Sequence, residues 1–478
     1  MKPAICLESE ILDFTGVQLC NPYRITIPQG VTVVIGPNGA GKTTLGNILE
    51  RGWNFRSNKL STPSGEKIEV RRIEFSDIHS LSGMKVEYYQ QRYEATMNDE
   101  VPTVAEVVGA GVESEQWAKL TTLFHLQNIE SNKINFLSSG ELRKLLIINA
   151  LLTPADAIVL DNPYIGLDSE SRQTLNEAIK SLTDEGVAVI LLIANPDDLP
   201  DFVDCIVPMR KLKIGEPITQ FPSMLRMRNR LVSLFDFAVD VSSISAPMPD
   251  PEQISTVVKL DGCTVRYGNR TIVDNVDWEI RDCENWSLSG PNGSGKSTLL
   301  SLICADNPQG YSNRITLFDR RRGSGESIWD IKRRIAMISP ERTLHFHPAG
   351  DVRTIIAQGL NDTSGVFIAP KPIQLELADK WISLLHLEDL VGRNFTTLSS
   401  GERQMVMLAR VFIKQPRLMI LDEPFHGLDL ARQRAVRAII NHFAARAKSD
   451  RQRFPMSIII VTHYESELPE CVEFTKQL

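Results

Sequence analysis

Two glycine-rich runs each end on a lysine: GPNGAGKTT from Gly36 and GPNGSGKST from Gly290. Both read G-x-x-x-x-G-K-[S/T]. In that pattern the glycines let successive backbone N–H groups turn inward around a phosphate, and the lysine reaches the β- and γ-phosphates. The candidate residues of the first loop are Gly36, Asn38, Gly39, Gly41, Lys42, Thr43 and Thr44. Those of the second are Gly290, Asn292, Gly293, Gly295, Lys296, Ser297 and Thr298. Thr43 and Ser297 would place a hydroxyl on Mg2+. A helix opening behind each loop adds the favourable field of its N-terminus. The chemistry implied is the binding of ATP with Mg2+.

A second repeated pair, VLDNPYIGLD (159–168) and ILDEPFHGLD (420–429), separates the two copies chemically. Asp161 and Asp422 each end an apolar run, as the Mg2+-side carboxylate of a P-loop ATPase does. The next residue should orient or deprotonate the attacking water. Glu423 can do so; Asn162 cannot accept a proton near neutral pH. General-base assistance is worth about 10²–10⁴ in rate, or roughly 3–5 kcal/mol. A second position agrees: SIIIVTH ends in His463, able to contact the γ-phosphate and the water, whereas VAVILLIAN ends in Asn195. Glu423 and His463 are therefore the candidate catalytic pair, and the Asn162 site should bind ATP and cut it slowly.

These residues need strands and helices to hold them. VTVVIG (31–36), DAIVLD (156–161), GVAVILLIA (186–194), RLMILD (417–422) and SIIIVTH (457–463) are short apolar runs that read as buried strands. Strands alternating with helical stretches imply a parallel sheet and an α/β fold. LSSGE occurs at Leu137 and Leu398, and Ser138 precedes Asp161 by 23 residues just as Ser399 precedes Asp422. Two domains in tandem follow from the matched spacing. We expect domain 1 over 1–240, a linker over 241–254 and domain 2 over 255–478. The stretch after Arg210 matches neither repeat; RMRNR (226–230) reads as a helical tail and SSISAPMPDPEQIS (242–255) as linker.

Composition narrows the class. Hydrophobic residues make up 42% and charged residues 23%, which describes a globular chain with a real core and excludes a disordered one. A net charge of -7 argues against a protein dedicated to gripping nucleic acid. The longest apolar run, Val187 to Ala194, is far short of the roughly 20 residues of a membrane span. The start, MKPAICLESEILDF, has acids where a signal peptide needs an apolar stretch. The 7 scattered cysteines form no C-x-x-C pair and read as reduced, buried thiols of a cytoplasmic protein. His345 and His347 in LHFHP have no cysteine or acidic cluster beside them and read as loop.

Taken together, the two P-loops, the LSSGE runs, the strand-end aspartates, the GLD turns and the terminal switch position resemble the ABC ATPase superfamily over nearly the whole chain. The resemblance implies two P-loop domains, each with a mainly parallel sheet core, an antiparallel β-subdomain and a helical subdomain. It implies head-to-tail pairing within a monomer, each ATP lying between the P-loop of one domain and the signature of the other. One site would join Lys42, Thr43, Asp161 and Asn162 with Ser399 and Gly401. The other would join Lys296, Ser297, Asp422, Glu423 and His463 with Ser138 and Gly140. Tyr267 matches the family's adenine-stacking aromatic; Phe14 stands near the equivalent place in domain 1, where core packing is the better reading. The γ-phosphate-sensing glutamine, also an Mg2+ ligand, falls on Gln91, with Gln90 the alternative. Domain 2 has Pro340 there, with Glu341 beside it as a substitute. The run NPQGYSNRITLFDRRRGSGESIWDIKRRI (307–335) resembles the ModF-like group of tandem ATPases associated with molybdate transport. That resemblance implies a cytoplasmic ATPase, or one on the cytoplasmic face of the membrane, energising transport through separate membrane-spanning subunits. The competing expectation is a soluble regulatory or mechanochemical ATPase acting on ribosomes or nucleic acid.

Overall fold

The computed structural model describes residues 3–9, 12–14, 17–19, 23–50, 58–61, 68–74, 102–134, 137, 139–153, 155–164, 167, 169–221, 223–232, 234–235, 239–245, 252–267, 270–291, 294–344, 346, 350–361, 369–462 and 467–478. The chain divides into two compact units, with the main boundary between Asp236 and Phe237.

In the first unit the apolar runs become strands because nothing in them can face water. Val31–Ile35, Ala157–Asp161 and Ala188–Ile193 are buried along their whole lengths. They belong to a six-stranded sheet in the order Lys213–Ile214, Cys205–Arg210, Val31–Ile35, Ala188–Ile193, Ala157–Asp161, Val70–Glu74. All neighbours are parallel except the edge hairpin of Cys205–Arg210 with Lys213–Ile214. Near-continuous hydrophobic strands are what a parallel sheet covered on both faces requires. The helices Lys42–Glu50 and Ser169–Asp184 follow strands of this sheet. A separate antiparallel sheet runs Tyr23–Pro28, Pro3–Ser9, Asn58–Ser61, and a helical group comprises Val104–Val108, Glu115–Leu123 and Ser139–Leu151.

The second unit repeats the plan. Its parallel sheet runs Ile335–Ile338, Leu418–Asp422, Ser457–Val461, Asn285–Ser289, Phe474–Gln477. An antiparallel sheet of Arg270–Arg281, Thr256–Tyr267, Arg314–Leu317 and Arg320–Arg321 lies beside it. The helical group is Val352–Ala357, Pro372–Leu384 and Ser400–Phe412. Trp381, Phe412 and Phe443 interlock there with ring centroids 5.8–6.2 Å apart, a spacing at which aromatic pairs add to simple area burial. In the first unit the helix Met224–Val232 carries RMRNR, the stretch read as helical. Cys205, Cys263, Cys283, Cys304 and Cys471 are free, and burial pushes the Cys304 thiol up to about 12.

Each sheet therefore sets the glycine-loop strand next to the strand that ends at the switch position, with the aspartate strand one place further. Open parallel sheets bind ligands beyond the carboxyl ends of their strands. The P-loop, aspartate and switch-position strands all end at that edge.

Candidate nucleotide sites

In the first unit the loop between Val31–Ile35 and the helix Lys42–Glu50 is shaped by two glycines of positive φ, Gly39 at 79° and Gly41 at 96°. Gly36 is required for another reason: a Cβ there would lie 2.0 Å from the Met209 carbonyl oxygen. Lys42 is buried, and its Nζ donates to the carbonyls of Gly36 at 2.7 Å and Pro37 at 3.0 Å. Thr43 Oγ1 donates to Asp161 Oδ2 at 2.8 Å. The strand-end carboxylate and the P-loop hydroxyl that sequence spacing pairs are thus brought together across 118 positions.

The second loop has the same build. Gly290 and Gly295 take φ of 151° and 93°. Lys296 Nζ donates to Gly290 O at 2.7 Å and Pro291 O at 2.9 Å. Burial lowers the Lys296 pKa, and the charges of Asp422 and Glu423 pull it back up. The strand-end carboxylates therefore lie within electrostatic reach of this lysine. Thr44 is half-buried, Ser297 exposed and Thr298 buried. Asn292 and Gly293 lie outside the described residues.

The two residues that distinguish the copies occupy one backbone geometry. Asn162 has φ 53° and Glu423 φ 49°, both left-handed. The Asn162 N–H donates to Leu192 O at 2.9 Å, and the Glu423 N–H donates to Val461 O at 2.9 Å. Left-handed backbone is uncommon for residues other than glycine, and asparagine tolerates it far better than glutamate. Strain of this kind collects at functional sites. Asn162 Nδ2 also donates to Asp161 Oδ1 at 3.1 Å. Asp161 is nearly fully buried; desolvation pushes its pKa up, against the stabilising bonds from Arg72 and Thr43. Asn195 caps the turn Pro196–Asp198 by accepting from the Asp197 N–H at 3.0 Å. His463 lies outside the described residues.

Ser399 is the N-cap of the helix Ser400–Phe412. Its Oγ pairs with the Glu402 carboxylate at 2.8 Å and accepts from the Glu402 N–H at 3.4 Å, and Gly401 is buried in the first turn. Gly140 opens the matching helix Ser139–Leu151; Ser138 lies outside the described residues. Tyr267 ends Thr256–Tyr267, half-buried against the core of the second unit, and its hydroxyl accepts from Asn307 Nδ2 at 3.0 Å. Phe14 sits in the short strand Leu12–Phe14. Gln90 and Gln91 lie outside the described residues. The place beside Ala157–Asp161 that Ile335–Ile338 takes in the second sheet is taken by Val70–Glu74. Pro340 begins the short helix Pro340–Leu344, which also contains Glu341.

Three site residues carry no motif. Arg72 on Val70–Glu74 donates to Asp161 Oδ2 at 2.9 Å and to Asn47 Oδ1 at 2.8 Å. Gln404, buried in the signature helix, donates through Nε2 to the carbonyls of Glu423 at 3.3 Å and Pro424 at 3.0 Å. Arg143 holds the same helix position five residues after the signature serine and donates to Pro163 O at 3.0 Å. In both units the signature helix thus grips the turn that follows the strand-end aspartate. Gln404→Leu should lower the chemical-denaturation midpoint by the equivalent of about 1–3 kcal/mol, the usual penalty for orphaned buried carbonyls. An unchanged midpoint would show that these bonds hold nothing.

The family model for the ABC transporter matches residues 20–165 and 273–426, together more than half of the chain. The chain belongs to the ABC transporter family. Among ABC relatives, the ABC transporter ATP-binding protein ModF of Escherichia coli (strain K12) is 31% identical over 457 residues, spanning 92% of this chain and 89% of that protein. An uncharacterized ABC transporter ATP-binding protein of Schizosaccharomyces pombe is 29% identical over 461 residues, 92% of this chain and 90% of its own. Solved structures share the fold: the RNase-L Inhibitor with TM-score 0.52 at 19% identity, over 96% of this chain and 84% of that one. A model of ribosome-bound archaeal Pelota and ABCE1 gives TM-score 0.58, also at 19%, over 96% and 73%. Tandem ABC ATPase architecture, similar to ModF, is the result, as the sequence motifs led us to expect. Members of the ABC ATP-binding family are ATPases, and that is the enzymatic activity of this chain.

Proposed function

We propose that the two nucleotide sites divide their labour, the Glu423 site hydrolysing ATP and the Asn162 site holding it as a clamp. The observation that carries this reading is the shared geometry of Asn162 and Glu423: one backbone conformation, one backbone hydrogen bond, two side chains of opposite proton-accepting ability. The donor set fits Mg2+: a hydroxyl and a carboxylate are the hard oxygen ligands it prefers, and Thr43 and Asp161 already meet at 2.8 Å. In the proposed second site Ser297 and Asp422 would hold the ion, which supplies charge neutralisation of the phosphates when bound. Lys296 would hold the β- and γ-phosphates, and Glu423 would take the proton of the attacking water, with His463 orienting it. Lys42 would do the same binding work in the first site. Ser399 and Gly401 would complete that site from the other domain, and Ser138 and Gly140 the second. Domains over 1–240 and 255–478 joined by 241–254 belong to this proposal, as does a monomer closing on itself. Asn162→Ala should change ATP turnover little; a loss as large as that of a Glu423 substitution would sink the division of labour.

For the process energised, the reading we favour is transport, related to molybdate, driven from the cytoplasmic side through separate membrane-spanning subunits. Support comes from the near full-length similarity to ModF. Among the described residues no helix is long and apolar enough to cross a membrane, so the proposal assigns the membrane path to other chains. The alternative, a regulatory or mechanochemical ATPase acting on ribosomes or nucleic acid, draws only on fold likeness to the archaeal ribosome recycling factor aABCE1 and to ribosome-bound ABCE1. Affinity capture from cells at native expression separates them. Recovery of an integral membrane protein supports transport. ATP-dependent co-sedimentation with ribosomes, without a membrane partner, overturns it.

A further inference from the structure

Where the first unit sets an arginine beside its strand-end aspartate, the second unit has a methionine at the equivalent position. Arg72 and Met337 occupy equivalent positions: Arg72 pairs in register with Val159 and Met337 with Ile420, each two residues before the strand-end aspartate. The room each needs is matched on the P-loop helix. Counting from the loop lysines, Gly46 stands where the second unit has Leu300. A Cβ at Gly46 would come within 3.2 Å of both Cδ and Nε of Arg72. Leu300 is buried, and Met337 packs against its cluster. Gly46 with Arg72, and Leu300 with Met337, are therefore two alternative fillings of one space. The Arg72 fork is held on several sides, by Asn47 at 2.8 Å, by Glu74 at 2.7 Å and by Asp161 at 2.9 Å.

We propose that Arg72 is a built-in counter-ion for Asp161 that lowers the need of the first site for Mg2+ when it binds ATP. The inference rests on the reading that this half binds ATP. A bare carboxylate beside the P-loop repels a triphosphate, and a metal ion ordinarily cancels that charge. Here a guanidinium offsets it from the protein side, shared with Glu74, whose carboxylate is far more exposed to screening by solvent. The Asp161 side chain is 2% exposed and that of Arg72 9%, so solvent and salt screen the pair weakly. Oδ2 of Asp161 accepts from both Arg72 and Thr43, and Oδ1 accepts from Asn162. A metal approaching this carboxylate must compete with charge-assisted bonds that are about twice as strong as neutral ones. Neutralised repulsion and competition for the oxygen act in one direction: both weaken the dependence of binding on Mg2+. Methionine at the equivalent position offers neither effect.

The test uses the full chain and a fluorescent ATP analogue, with Lys296→Ala to isolate the first site and Lys42→Ala to isolate the second. Binding is titrated in EDTA and against rising Mg2+. The first site should retain affinity in EDTA where the second loses it. Arg72→Met should then tighten the apparent Mg2+ requirement of the first site by about tenfold, the lower end of what groups around a metal ligand contribute. Gly46→Leu/Arg72→Met rebuilds the filling of the second unit and guards against a variant that fails for want of packing; thermal melts report its folding. Leu300→Gly/Met337→Arg should make the second site tolerant of EDTA. Equal Mg2+ dependence at the two sites, or no change in the folded double variant, overturns the inference and leaves the ATP site standing. No nucleotide binding at all in Lys296→Ala overturns the ATP-site reading and this inference with it.

Discussion

Glu423→Gln should leave ATP bound and reduce turnover by about 10²–10⁴-fold, the range over which a positioned general base acts. The substitution keeps the size and the hydrogen-bonding span of the side chain and removes only its ability to accept a proton. The backbone anchor to Val461 O and the Gln404 bonds do not involve the carboxylate, so the turn should stay in place. Steady-state phosphate release and equilibrium binding of labelled ATP measure the two halves of the expectation. Lost binding would mean that Glu423 is structural. Unchanged turnover would mean that another group takes the proton.

Lys296→Ala should reduce turnover by about 10²–10³-fold, the cost of removing one preorganised donor aimed at developing charge, and should also weaken ATP binding at its own site. Two losses combine there. The ammonium disappears from the phosphate side, and its bonds to the carbonyls of Gly290 and Pro291, which lock the loop, disappear with it. Lys42→Ala removes the same bonds at the first site, to Gly36 and Pro37, and should weaken ATP binding with a smaller effect on the hydrolytic step. Single-turnover kinetics separates the two lysines. Equal damage to the chemical step from both would show that the first site also hydrolyses.

Motif chemistry and continuous burial made the framework legible. VTVVIG, DAIVLD and RLMILD announce themselves as strands because every side chain in them must leave water, and they are found at Val31–Ile35, Ala157–Asp161 and Leu418–Asp422. The P-loop glycines announce themselves because the turn tolerates little else. Arg72 sent no such signal. VRRIE reads as a charged, alternating stretch, and its importance depends on an aspartate 89 positions away that only strand pairing brings near. The same non-locality hid the strand that pairs with Ala157–Asp161, which is Val70–Glu74. Phe474–Gln477 was missed for a different reason: it is a polar edge strand, mostly exposed, and lacks the apolar run that marks its neighbours. Gln404 was hidden two residues past a motif already explained by its serine and glycine. Its value comes from which carbonyls the turn after Asp422 leaves facing the helix.

The left-handed backbone shared by Asn162 and Glu423 gives the pair a mutational direction. Holding a glutamate there costs on the order of 1 kcal/mol of strain, whereas asparagine visits that region several-fold more readily than most residues. A step from glutamate to asparagine therefore discards the proton acceptor and relaxes the chain in one stroke. The return step must climb in stability before it regains chemistry. On the proposed division of labour, a half under no selection for turnover would slide toward a quieter, less strained binding site and would not easily come back.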